Sequence, residues 1–126
     1  MDSSLAGSLQ GRRVLIVEDE LMIRMLLEDM LSDFGCVLAA EAGTIETALA
    51  AVRDASFDVA VLDVNVEGSV ITPVAAELAA RGVPFVFATG YGARGLPGGF
   101  TDRPVVQKPF ETSALEKALG AALAGA

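Results

Sequence analysis

Glu18 and Asp19, Asp63, Thr89 and Lys108 each close a short apolar run, and their side chains suit cation binding and group transfer. A carboxylate can ligate a divalent cation or act as a nucleophile, a hydroxyl can donate a hydrogen bond, and an ammonium can neutralise anionic oxygens. The chain contains no histidine. That excludes Ser-His and Cys-His nucleophiles, an imidazole general base and every His-ligated metal site. Whatever chemistry occurs must run on carboxylates, hydroxyls, lysine or a bound cation. No Gly-Lys-Ser/Thr sequence is present, so P-loop nucleotide chemistry is also excluded.

The elements that must carry these residues are legible in the hydrophobic pattern. Val14–Val17 is a continuous apolar run, as expected of a strand buried on both faces. Ile23, Leu26, Leu27, Met30, Leu31 and Phe34 follow at helical spacing, and Gly35 stops them. Cys36–Ala40 reads as a weaker strand. Thr44 reads as the N-cap of a helix carrying Ile45, Ala48, Leu49 and Val52. Asp58–Leu62 is a second β-branched run. Thr72 as N-cap with Pro73 at the first helical position predicts a helix to Arg81, stopped by Gly82. Val83–Ala88 and Val105–Gln107 are further strands. Ser113 with Glu116 has the form of a capping box for a final helix with Leu115, Leu119 and Leu123. Residues 90–104 contain five glycines and two prolines, so the helix between the last two strands should be short or irregular. This alternation implies an α/β fold with a mostly parallel sheet covered by helices on both sides. In such a sheet the C-terminal strand ends share one edge, where ligands bind. The polar strand-end residues are therefore gathered into one site by topology.

Length and composition agree. The chain has 126 residues, 52% of them hydrophobic, which suits one domain with a real core and no need of a metal or disulfide staple. Its net charge of −8 would be repelled by phosphate backbones, so nucleic acid is not an expected partner. The lone Cys36 permits no intrachain disulfide and reads as a small buried hydrophobe in an intracellular protein. There is neither a signal-peptide pattern nor an 18-residue apolar run, so a cytoplasmic location away from the membrane is expected. Residues 1–11 read as a flexible lead-in and residues 12–126 as the domain.

The runs Val-Leu-Ile-Val-Glu-Asp-Glu at 14–20, Val-Ala-Val-Leu-Asp at 59–63, Phe-Ala-Thr-Gly at 87–90 and Gln-Lys-Pro-Phe at 107–110 together resemble the response-regulator receiver domain. The Phe-Ala-Thr-Gly run further resembles a subgroup of stand-alone receivers found mainly in alphaproteobacteria. The resemblance implies a doubly wound, CheY-like (flavodoxin-like) sheet of five strands in the order 2-1-3-4-5. It also implies a two-component phosphorelay, with Asp63 accepting a phosphoryl group from a histidine kinase or histidine phosphotransfer protein. Magnesium (Mg2+) is the implied cofactor, with Asp19, Asp63 and the backbone carbonyl of Asn65 as direct ligands and Glu18 acting mainly through water. Lys108 and Thr89 would contact phosphoryl oxygens. In that strand order Asp19 and Asp63 lie on neighbouring strands about 4.8 Å apart. Two carboxylates about 4 Å apart repel by roughly 4 kcal/mol at an effective dielectric of 20, so such a cluster calls for a cation. A carboxylate nucleophile ionised at neutral pH needs no general base, which accords with the absence of histidine.

Two positions depart from the family pattern. Glu67 stands where proline is common after the phosphorylated aspartate, which predicts a differently shaped loop with Glu67 solvated or near the cation. Val105 stands where many receivers carry a switch aromatic. Tyr91 is the candidate substitute, coupled to Thr89 through the Gly-rich 90–104 segment. On the first helix, Met22 and Met25 fall beside Leu21 on a face away from the core stripe, and they are candidates for docking the phosphodonor.

The reading is a stand-alone phosphoacceptor signalling domain, not a conventional enzyme, that loses its phosphoryl group to water. It would signal by protein contact or act as a phosphate sink. The alternatives are a receiver-like docking module that is never phosphorylated and an Asp-nucleophile phosphatase. The latter would want a second acid two residues after Asp63, where Asn65 stands, and a cap domain for which no length remains.

Overall fold

The computed structural model describes residues 9–90 and 96–125. Strand β1 (Arg13–Val17) leads to α1 (Leu21–Asp33), β2 (Val37–Ala42), α2 (Ile45–Asp54) and β3 (Val59–Asp63). Two short strands, β4 (Asn65–Val66) and β5 (Ser69–Val70), form an antiparallel hairpin before α3 (Thr72–Ala80). The chain continues through β6 (Phe85–Thr89), β7 (Val105–Gln107) and α4 (Thr112–Ala124). The five longer strands make one parallel sheet in the order β2-β1-β3-β6-β7. This is the doubly wound order expected from the resemblance, with the hairpin as an addition. Among the described residues of the 90–104 segment, 96–104 form turns and no helix, as their glycines and prolines predict.

The apolar runs alternate between two cores. Val14, Ile16, Val59 and Val61 face the side covered by α1 and α4, whereas Leu15, Val17, Ala60 and Leu62 face α2 and α3. Both faces of β1 and β3 are dry, which is why these strands carry no alternating polar residue. Fully burying each of the Val, Leu and Ile side chains contributes about 1.5–3 kcal/mol.

Local signals set most element ends. Thr44 caps α2 as expected: its hydroxyl accepts the Thr47 N–H at 3.0 Å, and the Thr47 hydroxyl accepts the Thr44 N–H at 3.2 Å. Gly35 and Gly82 end their helices with φ of 82° and 71°.

Several expectations are corrected. The N-cap of α3 is Ile71 rather than Thr72, because Ile71 is fully buried and its N–H is already held by the Val64 carbonyl at 2.9 Å. Helix α4 starts from Glu111, so Ser113 lies inside the first turn and makes no capping box. Phe110 and Leu115 are both buried in one core, and this hydrophobic staple fixes the helix entry instead. Leu26, expected in the core stripe of α1, is 39% exposed. The second strand runs Val37–Ala42 rather than Cys36–Ala40, and Cys36 is only half-buried. Leu9, assigned to the flexible lead-in, is completely buried in the α1–α4 core.

Candidate functional site

Register brings the site together. Val17 pairs with Leu62 and Asp63 with Ala88, so Glu18, the residue after Val17, lies level with Asp63 across the β1–β3 ladder. Thr89 pairs with Gln107, and the Lys108 N–H donates to the Thr89 carbonyl at 2.9 Å, extending that ladder by one step. Glu18, Asp63 and Thr89 are buried, and Asp19 is half-buried. Each of Glu18, Asp19 and Asp63 offers a carboxylate oxygen within 4.8 Å of the others. Lys108 reaches back over the sheet edge, with its Nζ 2.8 Å from Glu18 Oε1 and 3.3 Å from Asp63 Oδ2. Its long stem spans the two-strand gap between β7 and β3.

Backbone amides complete the arrangement. Glu20 N–H donates to Glu18 Oε2 at 3.1 Å, Asn65 N–H to Asp63 Oδ1 at 3.3 Å, and Glu67 N–H to Asp19 Oδ2 at 3.0 Å. Burial pushes the Glu18 carboxyl up to about 7; the Lys108 and Glu20 hydrogen bonds oppose this, while the nearby charge of Asp63 adds to it. For Asp19, burial is outweighed by the Glu67 amide, a hydrogen bond with Glu18 and the charge of Lys108, so its carboxyl lies below the usual range. Burial also acts against the Lys108 ammonium, but its carboxylate partners hold it above the ordinary lysine value. Three carboxylates thus face one ammonium, and the oxygens are close enough to share a cation. All-oxygen donors of this kind fit Mg2+. Glu18, Asp19 and Asp63 would hold it, and Asn65, on β4 two residues beyond Asp63, is tied to the cluster through its N–H on Asp63 Oδ1.

The sequence-derived residues Glu18, Asp19, Asp63, Thr89 and Lys108 all lie at one sheet edge. The order of the acids differs from expectation, since Glu18 rather than Asp19 is the neighbour of Asp63 and carries the ion pair to Lys108. Tyr91 lies outside the described residues. Val105 pairs with Phe87 and is half-buried. Met22 and Met25 are 82% and 54% exposed on α1, flanked by exposed Leu21 and Leu26. Sequence reasoning missed the hairpin and its amide to Asp19. The signal was Glu67-Gly68 between two short strand-like pairs, with glycine at the second turn position.

Known proteins share this fold. The solution structure of SdrG from Sphingomonas melonis Fr1 superimposes with a TM-score of 0.80 at 47% identity, covering 92% of this chain and 98% of SdrG. The receiver domain of the response regulator PhyR from Erythrobacter litoralis gives 0.78 at 32% identity, with 93% of each chain covered. The transcriptional regulatory protein PdtaR of Mycobacterium tuberculosis is 33% identical over 112 residues, 86% of this chain and 55% of PdtaR. The chain thus spans about half the length of the curated relatives it matches. A family model described as the response regulator receiver domain matches residues 14–120, which include every acid of the cluster together with Thr89 and Lys108. On that match the chain belongs to the response regulator receiver domain family.

Proposed function

We propose that this domain accepts a phosphoryl group on Asp63 from a phosphohistidine of a histidine kinase or phosphotransfer protein. The observation that carries the proposal is the meeting of Glu18, Asp19, Asp63 and Lys108 within hydrogen-bonding or ligating distance at one strand edge. An Asp63 oxygen attacks phosphorus, the new P–O bond forms as the P–N bond breaks, and the imidazole of the donor leaves. Asn65 N–H holds Oδ1 of Asp63. The Lys108 ammonium turns from the carboxylates toward a phosphoryl oxygen, and the Thr89 hydroxyl donates to another. Bound Mg2+ would supply charge neutralisation, held by Glu18, Asp19 and Asp63 with the Asn65 carbonyl. Hydrolysis by water then returns Asp63 and releases phosphate.

The domain then acts in the cytoplasm by protein contact or as a sink for phosphoryl groups, with the exposed Leu21-Met22 and Met25 face of α1 docking the donor. Among the described residues no helix is long and apolar enough to cross a membrane. The test is incubation with a small-molecule phosphodonor and Mg2+, read by intact mass. Wild type gains the mass of one phosphoryl group and Asp63→Asn gains none. An unmodified wild type would leave a docking module that is never phosphorylated.

A further inference from the structure

We propose that the backbone N–H of Glu67, presented by the β4–β5 turn, is the positioning group that fixes the Asp19 carboxylate against Glu18 and Asp63. As a role in metal binding, this rests on the proposed function above. Asn65 pairs with Val70 and Val66 with Ser69, leaving Glu67 and Gly68 as a two-residue turn. Both have positive φ, 50° and 79°, the signature of the tight hairpin turn whose twist matches its strands. The hairpin is anchored to the core on its other side. Val64, Val66 and Ile71 are buried, Val64 N–H donates to the Ala88 carbonyl at 3.2 Å, and Ile71 N–H to the Val64 carbonyl at 2.9 Å.

The need for such an anchor follows from where the acids sit. Glu18 and Asp63 are held by the sheet itself and by Lys108. Asp19 stands one residue beyond that support, in the β1–α1 loop, half-buried. The Glu67 amide at 3.0 Å takes its Oδ2 and so ties this loop carboxylate to the hairpin. Proline at position 67 has no N–H to give and holds φ near −65°. The departure from the family pattern at this position therefore supplies a hydrogen-bond donor to a metal ligand through the main chain, while the Glu67 side chain stays exposed.

The test compares Mg2+ affinity by calorimetry in wild type, Glu67→Gly and Glu67→Pro, with amide hydrogen exchange measured alongside. Glycine keeps both the N–H and the positive φ, so Glu67→Gly should bind within about twofold of wild type. Glu67→Pro should lose affinity about tenfold or more with the sheet amides unperturbed. Asp19→Ala should speed exchange of the Glu67 amide while leaving the Ile71 amide, which is bonded to Val64, protected. This last measurement stands even if the proline variant fails to fold. Equal Mg2+ affinity in Glu67→Pro, equal loss in Glu67→Gly, or no change at the Glu67 amide in Asp19→Ala would each overturn the proposal. Wild type that binds no Mg2+ but loses Glu67 protection in Asp19→Ala would overturn the metal reading and leave the amide clamp standing.

Discussion

Glu18 is completely buried, with Lys108 on one oxygen and a backbone amide on the other, and burial still pushes its carboxyl up to about 7. Among the described residues one ammonium meets the three carboxyls of this partly dry pocket, and even with Glu18 partly protonated near neutral pH it does not balance them. Like charges about 4 Å apart cost roughly 4 kcal/mol at an effective dielectric of 20, and a bound cation offsets that repulsion. Removing one charge should therefore stabilise the metal-free fold. Asp63→Asn is expected to raise its melting temperature by a few degrees, equivalent to about 1 kcal/mol, and to reduce the further rise that Mg2+ brings. Thermal melts with and without Mg2+ check this. A lower melting temperature would mean that the Asp63–Lys108 pair outweighs the repulsion.

Elements differ in how they hold the site and what they leave for partners. Helix α2 is fixed at its start by the reciprocal Thr44–Thr47 hydrogen bonds, so Thr44→Ala should cost about 1 kcal/mol in a denaturant melt. Helix α1 buries Leu27, Met30 and Leu31 but exposes Leu21, Met22, Met25 and Leu26 beside the loop that carries Glu18 and Asp19. Four apolar side chains facing water on one short helix suit an adaptable protein contact. Met22→Glu or Met25→Glu should slow phosphotransfer from the cognate donor by about tenfold, the loss of one good contact, with the rate from a small-molecule phosphodonor unchanged. Equal slowing with both donors would place the effect in the fold rather than in docking.

Across the whole molecule, two dry cores clamp the sheet, and the α1–α4 core extends past the expected domain start. Leu9 is buried among α1 and α4 residues, and its carbonyl accepts the Cys36 thiol at 3.5 Å. The main chain of this turn is tied to the end of α1, with Gly11 N–H on the Gly35 carbonyl at 2.8 Å. Leu9→Ala should destabilise the domain by about 2–5 kcal/mol, the usual range for a buried leucine, as measured by urea unfolding. A change below about 0.5 kcal/mol would return Leu9 to a dispensable lead-in.

The sequence by itself determined the five strands of the main sheet to within a few residues, most of the helices and the sheet edge that collects the polar residues. Those features are local, because an apolar run, a helical period or a glycine stop is written within a few adjacent positions. Tertiary structure decided the rest through lateral register and packing, which no local period encodes. Pairing of Val17 with Leu62 makes Glu18 the neighbour of Asp63. Burial of Ile71 and of Phe110 against Leu115 moves two helix starts. The amide bonded to Asp19 comes from Glu67, 48 residues away, and only the seating of the hairpin on the core brings its turn within reach of the β1–α1 loop.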